Sequence, residues 1–284
     1  MDVRVIGAIA ACSALAACSA NIHQSDQVVL NEKARDEESL EAKKPTYAGH
    51  ILNCQQSLGH HLSEEEYECP IGGEKFMSLT LGTHSTYGRH LDWEPVSYME
   101  FPAPLPVCPS NGFVIYKKIF SEDELRILGA AIKSPEYMKE FKDKNASYFL
   151  FGRLLEIIGN PDEYDLWWVF LNSTWEADQC GAKKYSRYAL KTIDHARNAL
   201  TQYHETDDEY WMLNIIIPNL YRRIGDFEFA KSWLEKLGAR RPGDDVGDRE
   251  FFNLAFMLLE QAIERRDQSQ IAIEPPAGSP PEAE

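Results

Sequence analysis

The chain has 284 residues, 45 of them acidic and 29 basic, for a formal net charge of −16. Such a chain lacks the basic face that displaces counterions from nucleic acid, and it repels anionic lipid heads, so nucleic acid is excluded as an expected partner and a membrane link has to be covalent or apolar. An apolar fraction of 44% with six tryptophans is that of a globular protein able to bury a real core.

In chain order, Val5 to Ala17 is an apolar run broken only by small residues, too short to cross a bilayer as a helix. It ends in Leu15-Ala16-Ala17-Cys18-Ser19, which resembles the lipobox of bacterial lipoproteins. The resemblance implies that residues 1–17 are a signal peptide and that cleavage behind Ala17 leaves Cys18 as an N-terminus acylated with diacylglycerol and palmitate. Ser19, rather than Asp, next to the cysteine implies sorting to the outer membrane, facing the periplasm. Asp2 offsets Arg4 in the leader, and the alternative is a misplaced start on a cytosolic protein. Residues 18–45 carry Glu32, Lys33, Arg35, Asp36, Glu37 and Glu38 without a sustained apolar period, which predicts a flexible tether.

Residues 46–120 have the punctuation of a small β-rich module, with Pro and Gly recurring between short β-prone runs at Lys75 to Leu81 and Gly112 to Ile119. Within it, Cys69-Pro70-Ile71-Gly72-Gly73 is answered by Cys108-Pro109-Ser110-Asn111-Gly112. A zinc knuckle uses proline to set a turn, two thiolates to grip the ion and a glycine of positive φ to re-enter the strand. Here Gly72 and Asn111 stand where the second thiolate belongs, and two thiolates cannot close a tetrahedral structural site. Three arrangements follow. Cys69 and Cys108 form a disulfide, closing a loop of ~40 residues and stabilising by ~4 kcal/mol in the chain-entropy model. Alternatively, His84 and His90 complete a Cys69, His84, His90, Cys108 zinc site, or the cysteines are free and buried. The disulfide is the favoured reading, with no cofactor and with zinc as the alternative; Cys54 and Cys180 complete the four non-lipidated cysteines expected in the mature chain after removal of residues 1–17.

From residue 121 to 268 the pattern is helical. Ser121-Glu122-Asp123-Glu124 is a capping box, Ser134-Pro135 and Asn160-Pro161 place a cap before a first-turn proline, and Thr206 to Glu209 gives a fourth start. Helices are predicted near 122–133, 135–143, 146–158, 162–178, 183–204, 207–224, 226–239 and 247–266, with links short enough to make neighbours antiparallel. Tyr221, Gly225, Asp226, Ala230 and Pro242 fall at the positions of the tetratricopeptide pattern, and Gly181 with Ala189 and Ala196 makes a looser copy. Pro218 departs from that pattern and should kink its helix, and the tryptophans Trp167, Trp168 and Trp175 are core candidates before they are ligand contacts. Residues 269–284, with Pro275, Pro276, Pro280 and Pro281, are expected to be a disordered tail.

The fold class is therefore α+β, mainly α: a small β-rich zinc-ribbon-like module followed by a tetratricopeptide-like helical-hairpin domain. Gly72-Gly73-Glu74-Lys75-Phe76, Leu105-Pro106-Val107-Cys108-Pro109 and Trp175-Glu176-Ala177-Asp178 resemble a family of uncharacterised bacterial proteins with this pairing of modules. No nucleophile elbow, phosphate loop or dinucleotide fingerprint is present, and neither His60-His61 beside Glu64-Glu65-Glu66 nor the Asp244, Asp245, Asp248 group follows a metal-site order. The expectation is a lipid-anchored envelope protein acting as an interaction or scaffolding module, with a protein or peptide partner in the helical groove. The alternatives are a cytosolic metal-binding ribbon protein with a mis-called start, and an unrecognised hydrolase.

Overall fold

The computed structural model describes residues 62–81, 84–99, 101–160, 164–178 and 182–273. Cys18, the tether, Cys54, Cys180 and Gly181 lie outside them. The fold is mainly α, with small antiparallel sheets leading into eight helices among the described residues. Strand β1 (Leu62–Glu68) pairs antiparallel with β2 (Lys75–Leu81) across the first Cys-Pro segment, with Tyr67 opposite Phe76 and Glu68 opposite Lys75. The acidic run Glu64-Glu65-Glu66 sits on β1 and is exposed. A second sheet has the order β4 (Pro95–Ser97), β3 (Thr86–His90), β5 (Ala272–Ile273).

Two sequence expectations change here. The run Gly112 to Ile119 forms no strand beyond a single bridge from Val114 to Val107. It serves as packing instead, because Phe113 and Val114 are fully buried against the first helices. Residues 269–273, assigned to the tail by composition, are partly built into the fold: Arg89 pairs with Ile273 and His90 with Ala272, and Ile273 is 1% exposed.

The helices are α1 (Glu122–Ala131), α2 (Pro135–Lys142), α3 (Ser147–Ile158), α4 (Leu166–Asp178), α5 (Ala182–Leu200), α6 (Asp208–Arg223), α7 (Phe227–Leu237) and α8 (Arg249–Glu264), packed in pairs. Two of the local signals act where the sequence places them, while α6 starts behind Asp207 without a side-chain cap, one residue past the expected cap Thr206. Ser121 accepts from the Glu124 amide while Glu124 accepts from the Ser121 amide, and Ser134 accepts from the Tyr137 amide at 3.2 Å. Asn160 acts differently from expectation. Its side chain accepts from the Tyr164 amide at 3.1 Å and donates to the Tyr164 carbonyl at 2.8 Å, which closes a loop and delays α4 to Leu166. Helix α6 runs on through Pro218.

Two hydrophobic cores result. One joins both Cys-Pro segments to α1, α2 and α3 through Phe76, Phe113, Leu128, Ile132, Tyr137, Leu150 and Leu154. The other runs along α4 to α8 and takes Leu91 and Trp93 from the β3–β4 turn, with Ile273 from β5. Trp167 and Trp175 are core residues, each 4% exposed. The tetratricopeptide-pattern residues also have packing roles. Tyr221 stacks on Phe229 at 4.0 Å, Gly225 turns with φ +89, Asp226 accepts from the Phe229 amide at 3.1 Å, and Ala230 and Pro242 are buried. Among the described residues no helix is long and apolar enough to cross a membrane.

Candidate functional site

The two Cys-Pro segments fold as a matched pair. In each, the cysteine amide donates to the residue five ahead (Cys69 to Glu74, Cys108 to Phe113, both 2.8 Å). The glycine four ahead donates back to the cysteine carbonyl, Gly73 at 3.0 Å and Gly112 at 2.9 Å. Gly72, Gly73 and Gly112 have φ of +109, +70 and +74, the conformation that lets each turn re-enter extended chain. Such turns present two sulfurs to one another, and Cys69 and Cys108 are joined as a disulfide with Cα atoms 5.7 Å apart.

The residues that replace the missing thiolates hold the pair together. Asn111 donates to the Ile71 carbonyl of the opposite turn at 2.6 Å and accepts from the Phe113 amide at 2.9 Å. Glu74 accepts from both the amide and hydroxyl of Ser110, at 2.9 and 2.7 Å. Glu74 lies close enough to both sulfurs to complete a metal-capable trio, but the sulfurs are bonded to each other and offer no thiolate. The other two residues of the four-ligand alternative lie elsewhere: His84 packs edge-on to Phe101, and His90 stands beside Asp92 and Glu94.

That second location is a buried polar cluster, and sequence reasoning passed over most of it. The turn His90-Leu91-Asp92-Trp93-Glu94 is held by the His90 amide on the Glu94 carbonyl at 2.8 Å, and Trp93 adopts φ +66. This conformation is strained for a bulky side chain, and it persists because Trp93 is wedged against Phe251 and Phe252 of α8. Asp92 is 1% exposed. From β5's leading segment, Gln270 places its Nε2 at 2.9 and 3.0 Å from the two Asp92 oxygens and 2.9 Å from Glu94 Oε2. Its Oε1 accepts from Arg223 of α6, which also pairs with Asp178 at the end of α4. Arg223 lies over the Tyr185 ring, 5.0 Å from its centroid. Burial and the Asp92 charge push the Glu94 carboxyl up to about 8, and burial lowers His90. The neighbouring Arg222 is fully buried, held by Asn219 Oδ1 and the Asp267 carbonyl, and burial brings it down to about 10. A signal existed in the sequence, the alternation His90-x-Asp92-x-Glu94 on one short turn, but its partners Gln270, Arg223 and Asp178 are far away in the chain.

A third feature is an open basin of ≈ 400 Å³ between α2, α3 and the start of α4, lined by Glu136, Arg153, Glu156, Ile157, Asn160 and Leu166. Arg153 pairs with Glu136 and Glu156, and Glu156 also takes His195 at 2.7 Å and Lys191 at 2.6 Å. Burial pushes the Glu156 carboxyl up, yet His195, Lys191 and Arg153 together outweigh it and hold it at about 2. The basin floor is therefore a fixed array of ion pairs. Comparison with family models, curated proteins and solved structures finds no match to this chain.

Proposed function

We propose that the protein is a lipid-anchored envelope scaffold: exported, acylated on Cys18 and engaging a protein or peptide partner through its helical hairpins. The observation that carries this reading is the Cys69–Cys108 disulfide, standing between two turns of the kind that in zinc ribbons grip a metal. Disulfides persist in oxidising compartments and are rare in the reducing cytosol, so the bridge agrees with the export expected from Leu15-Ala16-Ala17-Cys18. The helical body supplies the scaffold. Tyr221, Gly225, Asp226 and Ala230 pack or turn at the α6–α7 crossing, which supports reading this pair as a tetratricopeptide-like hairpin, and the basin beside α3 is the proposed contact surface.

Metabolic labelling with radioactive palmitate tests the anchor. The label is expected on the wild type and absent from Cys18→Ala, with the variant released from the membrane fraction. A photo-crosslinker placed at Ile157, in the lining of the basin, tests the scaffold in intact cells. A discrete adduct at Ile157 supports the reading, and its absence in the folded variant contradicts it.

A further inference from the structure

The turn carrying His90, Asp92 and Glu94 has more acceptors than donors. The Gln270 amide has two hydrogens but faces three carboxylate oxygens at 2.9–3.0 Å. Its orientation is not free, because Oε1 is committed to Arg223. The one other donor to these carboxylates seen at the turn is the Glu94 amide, 3.3 Å from Asp92 Oδ1. His90 Nδ1 is buried with no hydrogen-bond partner and lies 3.8 Å from Glu94 Oε2. Arg222 and Arg223 lie nearby, but their hydrogen bonds go elsewhere, Arg223 to Asp178 and the Gln270 carbonyl oxygen and Arg222 to Asn219 and the Asp267 carbonyl. Two facing carboxyls and an imidazole nitrogen are thus left with lone pairs that no donor among the described residues fills, in a pocket where that is costly.

A second observation points to the same place. Tyr185 is 6% exposed, its hydroxyl has no partner, and the charges of Arg223, Asp92 and Asp178 act on it. A buried hydroxyl without a partner is uncommon, and this one shares Arg223, Asp92 and Asp178 with the turn as its electrostatic neighbours.

We propose that His90, Asp92 and Glu94 bind one first-row divalent metal ion, zinc in the first instance, and that Gln270 orients the two carboxylates from behind. One ligand atom from each residue already lies within 4.8 Å of the others. Ligands at ~2.1 Å in a tetrahedron stand roughly 3.4 Å apart, so modest side-chain rotation closes the site. One nitrogen with two carboxylate oxygens suits zinc or manganese better than calcium or magnesium, which take all-oxygen sets. Three protein ligands leave a coordination position open. Glu94 and His90 side chains are 14% and 22% exposed, so that position is within reach of solvent. The site ties β3 and β4 to the C-terminal segment and does not depend on acylation of Cys18.

The test is titration of chelator-treated full-length protein with zinc chloride by calorimetry, repeated with cobalt for its absorption spectrum. One ion per chain is expected, with a cobalt spectrum lacking thiolate charge transfer. Glu94→Gln and His90→Ala should each weaken binding by at least about tenfold, and Gln270→Ala by about tenfold. Circular dichroism and the thermal midpoint of each variant establish that it is folded; Glu94→Gln keeps the shape of the side chain and guards against a trivial loss. Binding should survive Cys54→Ser with Cys180→Ser. No stoichiometric binding, binding unchanged in folded Glu94→Gln, or binding lost in the cysteine variant would overturn the proposal. The first outcome would mean that a shared proton, not an ion, neutralises the turn.

Discussion

Single residues in this protein mostly settle backbone conformation and the fate of buried polar groups. Gly112 has φ +74, and an added Cβ would sit 2.6 Å from the Phe141 ring beneath the second Cys-Pro turn. Gly159 at the end of α3 has φ +82, but a Cβ there meets nothing within 4 Å. Gly112→Ala should therefore destabilise by about 3 kcal/mol, the sum of strain and overpacking, against about 1 kcal/mol for Gly159→Ala. Urea denaturation of both variants checks the contrast; equal losses would mean that the Phe141 contact yields without cost. The value of Gly112 was legible in the sequence as a knuckle-closing glycine, because that role depends on local backbone alone. Asn111 was legible only as a missing ligand. Its actual part, an amide spanning to Ile71 of the other turn, depends on two segments meeting.

At the scale of elements, the approximate spans of the eight described helices could be read from the chain, and so could the caps at Ser121 and Ser134, because these rest on contacts between near neighbours. What could not be read is how elements are tied together. Glu176, part of the Trp175-Glu176-Ala177-Asp178 motif, caps a different helix: it accepts from the Ser147 hydroxyl at 2.7 Å and from the Ser147 and Tyr148 amides at 3.2 and 2.8 Å, at the start of α3. Ser147 in turn accepts from the Leu105 amide at 2.8 Å, linking the segment before Cys108 to α3 and α4. Burial pushes the Glu176 carboxyl up to about 7 despite these donors. A carboxyl whose folded value lies above its unfolded one favours the fold while protonated. Its contribution is therefore present below about pH 4.5 and is lost as pH rises to about 7, by about 3 kcal/mol. Denaturation midpoints measured from pH 4 to 8 should fall over that window, with Glu94, pushed up to about 8, adding to the fall. Glu176→Gln should make the fall shallower, and a slope as steep as in the wild type would mean that Glu176 does not contribute.

For the molecule as a whole, the C-terminal end of the described chain is not an appendage. The C-terminal segment crosses back to β3, buries Ile273 and brings Gln270 to Asp92, Glu94 and Arg223. Composition hid this, since the few ordered residues adjoin a proline-rich stretch and form only two strand residues. Truncation after Gln268 should lower stability by at least about 3 kcal/mol, through loss of a buried isoleucine and of the amide that donates to the Asp92 and Glu94 carboxyls. An unchanged urea midpoint would restore the reading of this segment as a tail. The Cys69–Cys108 bridge acts on the same scale, closing a separation of 39 residues. Breaking it by reduction, or by replacing both cysteines with alanine, should remove about 4 kcal/mol, measured by denaturation with and without reductant.

The central claim is that this chain works outside the cytosol, oxidised at Cys69 and Cys108 and tethered at Cys18. Intact-mass spectrometry of native protein drawn from membranes under non-reducing conditions, after alkylation of free thiols, addresses both parts at once. The predicted mass begins at an acylated Cys18 and carries no alkyl group on Cys69 or Cys108. A mass that includes residues 1–17 without lipid, with both cysteines alkylated, would contradict the account.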